Sequence, residues 1–156
     1  MAATAMDQLN EQCPIGPLQC KKTLLTAAEW KVLNATQKGL VPSPGPGRAI
    51  LFERAYINII GGTTAGDTDG DLSIRYTGGT GDDVSQAQDD FLNDSTKGGL
   101  TMPIERIGTE STTQTLGYLQ ENLGLELYSA SDLAGSAGDF TLEVVVFYRL
   151  VRMAVG

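Results

Sequence analysis

The sequence of 156 residues contains no histidine and only two cysteines. Histidine is the commonest general base and the commonest metal ligand in proteins, so its absence excludes imidazole-based catalytic triads. Two thiolates alone cannot complete a structural zinc site. The sequence also has no glycine-rich phosphate loop of the P-loop type and no G-x-S-x-G nucleophile elbow. We therefore predict a protein without enzymatic activity and without a cofactor.

Positive charge is also scarce, with 11 lysines and arginines against 19 acidic residues and a net charge of −8. Because affinity for nucleic acids comes largely from cationic contacts with phosphates, this balance argues against binding of DNA or RNA. The longest apolar run, residues 144–148, is far shorter than the roughly 20 residues that cross a bilayer. The first residues do not resemble a secretory signal. We expect neither a nucleic acid nor a membrane as partner.

Turn-forming residues are abundant, with 19 glycines and 6 prolines. Frequent turns between short apolar stretches are typical of all-β domains, and no alternation of strands with helices is visible. We predict a two-sheet β-sandwich, for which a jelly roll is one candidate topology. Pro103 has no N–H, so its strand should lie at a sheet edge. The predicted strands are residues 38–41, 48–60, 71–77, 99–107, 123–127 and 140–153.

The apolar residues of the predicted strand 48–60 do not keep a single parity. Phe52 and Tyr56 would share one face of a regular strand, whereas Ala55 and Ile57 would share the other. Because side chains alternate between the two faces of a strand, this pattern has two explanations. Either a bulge near Glu53 shifts the register, or both faces of the strand are covered.

One or two short helices are expected between the strands. Thr26 and Glu29 form a capping-box pattern ahead of Trp30, which we expect to fill the core beneath the sheets. Asp83 can cap a second helix. The apolar stripe of this second helix would comprise Val84, Ala87, Phe91 and Leu92.

The last predicted strand has an apolar residue at every second position, from Phe140 to Leu150, which is typical of a face turned to the core. Its opposite face is half apolar, because Val145, Phe147 and Val151 lie there. A face in contact with water should be more polar than this. We therefore predict that a neighbouring subunit or a second layer covers these three residues.

Residues 1–20 differ from the rest of the chain and are predicted to form an extended N-terminal arm ahead of a sandwich domain at 21–156. The arm contains Cys13, Pro14 and Pro17, which we predict to contact a partner. In a reducing cytosol free thiols are the default, although a disulfide between the two cysteines stays open.

Three carboxylates at two-residue spacing, Asp67, Asp69 and Asp71, form the one weak candidate for a metal site. Oxygen clusters of this kind bind Ca²⁺. The positions where an EF-hand requires glycine and a bidentate acid hold Leu72 and Gly78 instead. A solvated turn explains the acids equally well, because Asp and Gly are favoured in turns.

Three segments resemble a family of small tailed-phage virion proteins. They are the turn Leu25–Glu29, the Pro-Gly segment from Leu40 to Ile50, and the terminal motif from Phe147 to Val151. The resemblance covers roughly residues 22–60 and 120–153, and the N-terminal arm departs from it. The family suggests no catalytic residues.

This resemblance implies a non-enzymatic β-sandwich of the virion. Its expected role is a capsid cement, or decoration, protein on the outer surface of the head, made in the host cytoplasm. The expected partners are the major capsid protein and further copies of the chain, in a homotrimer. The alternatives are a tail, head-fibre or baseplate component, or a carbohydrate-binding module.

Overall fold

The computed structural model describes residues 15–66, 71–78, 83–88, 92, 101–105 and 119–153, with only the backbone of residues 101–105. The described elements alternate between two sheets, with one short helix after the first strand. Their order is β1 Gln19–Leu25, α1 Ala27–Trp30, β2 Lys38–Val41, β3 Arg48–Ile60, β4 Leu72–Tyr76, β5 Thr101–Glu105, β6 Leu125–Ser129 and β7 Thr141–Arg152.

The strands form two antiparallel sheets. The four-stranded sheet has the order β1-β7-β3-β5, and the three-stranded sheet has the order β2-β6-β4. Buried apolar side chains from both sheets make one core. The predicted all-β sandwich is therefore confirmed. The strand that contains Pro103 lies at the edge of its sheet, as its missing N–H requires.

A bulge in β3 explains the mixed parity of its sequence. The pairing with β7 shifts between Phe52 and Arg54, which leaves Glu53 as the extra residue. Phe52 is buried ahead of the bulge and Ala55 is buried after it, so the inward side changes from even to odd numbers. Of the two explanations left open by the sequence, the register shift is the one observed.

Helix α1 closes one side of the core. Glu29 reaches back to accept a hydrogen bond from the amide of Thr26 at 2.8 Å, as the capping-box pattern predicts. Trp30 is fully buried, and its ring stacks on Phe140 with 4.8 Å between the centroids. Its indole N–H donates to the backbone oxygen of Phe140 at 2.9 Å. The predicted role of Trp30 in the core is confirmed.

The second predicted helix, with its cap at Asp83, is wrong. Residues 83–88 run antiparallel beside β4, where Asp83 bridges to Arg75 and Gln88 bridges to Leu72. The amide of Gln88 donates to the oxygen of Leu72 at 2.8 Å, so the segment finds its hydrogen bonds at the sheet edge. Ala87 is exposed. Phe91 lies outside the described residues.

Candidate functional site

The outer face of the four-stranded sheet, the side turned away from the core, is the surface that contains the predicted contact residues of β7. Val145 and Phe147 are half-buried there, between the edge strand β1 and the long strand β3. At the far end of this face Leu24 and Ile60 are exposed, at 51% and 45%. Side chains that alternate with the buried ones define the outer face: Cys20, Lys22, Leu24, Leu51, Arg54, Tyr56, Asn58, Ile60, Thr141, Glu143, Val145, Phe147 and Arg149.

Three of these side chains form a cluster, named here the Arg54 cluster, at the middle of the outer face. The rings of Tyr56 and Phe147 meet edge to face, with 5.9 Å between their centroids. The guanidinium of Arg54 lies 5.1 Å from the ring centroid of Phe147 and 6.0 Å from that of Tyr56. At these distances a cation is attracted by the faces of both rings. The cluster combines apolar area with a positive charge on one surface.

The sequence alone missed two members of this cluster. A regular strand would place Tyr56 on the same face as Phe52, which is buried in the core. The bulge at Glu53 reverses the parity and moves Tyr56 to the outer face beside Phe147. The mixed parity of β3 was the only available signal, and it did not show which residues in each half of the strand face outward.

Ion pairs flank the Arg54 cluster on both sides. Lys22 Nζ lies 2.5 Å from one carboxylate oxygen of Glu143, and the side-chain amide of Asn58 donates to the other at 2.9 Å. The hydrogen bonds from Lys22, first, and from Asn58 hold the pKa of Glu143 below its ordinary value. On the other side, Arg149 Nε donates to Glu53 Oε1 at 3.0 Å. These contacts fix the long side chains that border the cluster.

An open cleft of about 250 Å³ lies next to the bulge. Leu18, Glu53, Arg54 and Arg149 line it, so one wall is apolar and the others are charged. Arg149 also donates to the backbone oxygen of Gly16 at 3.2 Å, which ties the chain ahead of β1 to the cleft. The bulge residue and the end of the arm together therefore shape this part of the surface.

The described part of the predicted arm runs beside β7. Ile15 bridges to Val151, and the amide of Gly16 donates to the oxygen of Leu150 at 2.7 Å. Val151 is only 8% exposed, unlike Val145 and Phe147, and it offers little free surface. Strand β1 begins at Gln19, two residues inside the predicted arm. The arm therefore joins the four-stranded sheet before residue 20.

The remaining predicted site residues lie apart from the outer face or outside the described chain. Cys13 and Pro14 lie outside the described residues, and Pro17 is exposed. Cys20, which was not among the predicted contact residues, is an exposed free thiol on the outer face. Asp67 and Asp69 also lie outside the described residues. In the described part of the chain no three His, Cys, Asp or Glu side chains are arranged to hold a metal ion, and a calcium site that includes Asp71 stays a prediction.

The fold and its outer face define a small two-sheet β-sandwich with an aromatic and cationic surface cluster. Among the described residues no helix is long and apolar enough to span a bilayer. No family model and no curated protein matches the sequence. The phage-family resemblance of the three sequence segments therefore stays a prediction.

Two solved structures are similar to this chain. The capsid of Ralstonia phage GP4 is 14% identical with a TM-score of 0.45, and the match covers 90% of this chain and 87% of that chain. The cyanophage Pam1 capsid asymmetric unit is 13% identical with a TM-score of 0.44, over 86% of this chain and 84% of that chain. At these identities and scores the similarity assigns neither a family nor a function.

Proposed function

We propose that this protein is a non-enzymatic structural component of a tailed-phage virion. Its specific role would be that of a cement, or decoration, protein that binds the major capsid protein on the outside of the head. The observation that supports this most directly is the Arg54 cluster, a group of aromatic and cationic side chains on an otherwise rigid sheet.

The composition of the Arg54 cluster supports a protein partner. Tyr and Arg are among the residues that most often dominate binding energy at protein interfaces, and Phe is enriched there. The two rings and the guanidinium pack against one another, so part of their conformational freedom is already restricted before a partner binds. Val145 lies next to the cluster, at the register position opposite Tyr56. We infer that Val145 and Phe147 contact the partner.

The length of the two central strands supports a mechanical role. Strands β3 and β7 pair along 48–60 and 141–152, so one long ladder, interrupted by the bulge at Glu53, crosses the sheet. A rigid sandwich of this kind can bridge neighbouring shell subunits without deforming. Weak contacts that are repeated over many copies on a shell add up through multivalency. Modest affinity at each site is therefore sufficient for a cement protein.

We assign the arm a second contact region, with Cys13, Pro14 and Pro17, and place Val151 at its base. Ile15 and Gly16 are tied to β7, and Gly16 also to Arg149, which supports an arm that leaves the sandwich from a fixed position. Self-association, as a trimer in the simplest case, would position several arms and several outer faces together.

The strand order supports a jelly-roll topology as part of this proposal. The segment 83–88 continues the three-stranded sheet beyond β4. The two sheets then have the orders β1-β7-β3-β5 and β2-β6-β4 followed by this segment. Two interleaved Greek keys in eight strands produce this arrangement.

Co-sedimentation with purified capsids of the phage that encodes the chain tests the proposed function. The full chain should sediment with capsids, and the double variant Tyr56→Ser, Phe147→Ser should lose most of the bound protein. Val32→Ser is the matched control, because Val32 is 40% exposed and lies outside the outer face. Circular dichroism checks that each variant is folded.

The outcomes separate the proposal from its alternatives. A full chain that stays in the supernatant with capsids but sediments with purified tails would indicate a component of the tail or baseplate. Binding to a carbohydrate that persists in the double variant would favour a sugar-binding module. Equal sedimentation of the double variant and the full chain would show that the Arg54 cluster is not part of the interface.

A further inference from the structure

Two arginines are directly opposite each other at one end of the four-stranded sheet. Arg48 begins β3 and Arg152 ends β7, and they are register partners. Both are exposed. Side chains in such positions have Cβ atoms about 4.5–5.5 Å apart, and like charges there repel each other. This arrangement, named here the Arg48–Arg152 pair, gains stability when a negative group binds between the guanidiniums.

The other described cations are mostly satisfied within the chain. Four of them form ion pairs with carboxylates: Lys22, Lys38, Arg75 and Arg149. Lys31 and Arg54 lie over aromatic rings. Within the described ranges, the Arg48–Arg152 pair has neither an acid nor a ring. Glu121, an acid close to Arg48 in the fold, instead accepts a hydrogen bond from the amide of Gly47 at 2.6 Å.

The described chain begins at the same end of the sheet. Ile15 bridges to Val151, the residue before Arg152. Pro14 has a fixed φ, and the residue before a proline favours extended backbone. At about 3.3 Å per residue, the 13 residues ahead of Pro14 span up to about 43 Å when extended, enough to contact a neighbouring molecule.

The charge of this segment complements the Arg48–Arg152 pair. Residues 1–14 contain two acidic side chains, Asp7 and Glu11, and no lysine or arginine. Extended chain spans up to about 10 Å over the three residues from Pro14 to Glu11 and up to about 23 Å over the seven from Pro14 to Asp7, so both acids are within reach of another copy. Carboxylates bind guanidinium groups with paired hydrogen bonds, so the acids suit the Arg48–Arg152 pair of another copy.

We propose that the acidic N-terminal segment of one copy docks on the Arg48–Arg152 pair of a neighbouring copy. The contact is head to tail, because the segment and its receptor are different surfaces of the chain. This inference rests on the proposed function, which requires copies of the chain to associate, and it names the two surfaces through which they meet. It assigns the contact between copies to the sheet end and leaves the outer face for the shell.

A charge-reversal mixing experiment tests this contact. Variant A has Asp7→Arg and Glu11→Arg, and variant B has Arg48→Glu and Arg152→Glu. In A alone and in B alone every contact between copies joins like charges, so each should be a monomer by size exclusion with light scattering. When A and B are mixed, the basic segment of A attracts the acidic pair of B. The acidic segment of B likewise attracts the arginine pair of A. The mixture should therefore form complexes that contain both variants.

A charge-matched control separates this contact from a general effect of net charge. Lys21→Glu with Lys31→Glu changes the net charge as much as variant B does and should leave the association of the full chain intact. The association should also weaken at high salt, because the groups are exposed. A monomeric full chain, association that survives in A or B alone, or a mixture that stays monomeric overturns the proposal. The last result would indicate that the segment binds its own copy.

The co-sedimentation experiment with capsids and the charge-reversal experiment test different proposals, and each can fail without the other. A full chain that associates through the charged contact but does not sediment with capsids contradicts the proposed cement role alone. A chain that sediments with capsids as a monomer contradicts the head-to-tail contact alone.

Discussion

At the scale of single residues, Trp30 connects helix α1 to the β7 end of the core. Its stacking on Phe140 and its hydrogen bond to the backbone oxygen of that residue were not visible in the sequence. What the sequence indicated was a large apolar side chain directly after a helix cap, and such residues are normally buried. Gly138 belongs to the same site, because a Cβ atom there would lie only 2.8 Å from the Phe140 ring.

We expect Trp30→Ala to lower the free energy of unfolding by about 3–5 kcal/mol, because it leaves a large cavity. Trp30→Phe keeps most of the ring but leaves the Phe140 oxygen without its donor, which should cost about 1–3 kcal/mol. Urea denaturation followed by circular dichroism measures both. The control Val32→Ala, at an exposed position, should change stability by less than about 0.5 kcal/mol. A Trp30→Phe variant as stable as the natural chain would contradict a role for the indole N–H.

Glu29 gives the protein an acid-dependent part of its stability. The hydrogen bond from Lys38, followed by that from the amide of Thr26, lowers the pKa of Glu29 from 4.5 to about 2. A carboxylate with a lowered pKa stabilises the folded state above its unfolded pKa, and this contribution disappears as the pH falls through the folded value. The loss therefore occurs between about pH 4.5 and about pH 2.

The variant Glu29→Gln cannot titrate at this position. The difference in urea midpoint between the natural chain and Glu29→Gln should shrink as the pH falls through that range. Lys38→Met removes the principal cause of the lowered pKa and should move the loss to higher pH. A midpoint difference that does not change with pH would show that the carboxylate of Glu29 is not coupled to folding.

At the scale of elements, the bulge in β3 decides what both faces of the sheet contain. Ahead of Glu53 the even residues point inward, and after it the odd residues do. The same shift buries Ile57 in the core and places Tyr56 beside Phe147 on the outer face. Bulges often occur next to functional sites because they redirect side chains in this way.

Deletion of Glu53 should abolish cooperative folding. Without the extra residue, one half of β3 must turn its apolar residues outward, and the loss would exceed about 4 kcal/mol. Glu53→Ala keeps the bulge and removes only a half-exposed ion pair with Arg149, which is worth about 0–1 kcal/mol. Thermal unfolding and the dispersion of amide NMR signals distinguish the two. A deletion variant as stable as the natural chain would show that β3 tolerates either register.

At the scale of the whole molecule, the proposed assembly has a thermodynamic signature. Association of folded copies stabilises the native state by mass action, so the melting temperature should rise with protein concentration. The rise should be present in the full chain and absent in variant B, which lacks the arginines of the sheet end. Differential scanning calorimetry over a wide concentration range measures it. A melting temperature independent of concentration would contradict self-association.

The sequence by itself determined the class of the fold. Turn-forming residues between alternating apolar stretches specified strands at 38–41, 48–60 and within 71–77, and the structure has β2, β3 and β4 there. These features are local, because the period of a strand and the dihedral preferences of Gly and Pro act on a few residues at a time. The short helix capped at Thr26 was predictable for the same reason.

Only the tertiary structure decided what each surface contains. Whether residues 83–88 form a helix or an extended edge depended on the free hydrogen-bonding groups of β4, which are distant in sequence. The Arg54 cluster and the Arg48–Arg152 pair each join residues about a hundred positions apart along the chain. Such contacts follow from register and strand order, which are set by the packing of the whole sandwich and not by any local pattern.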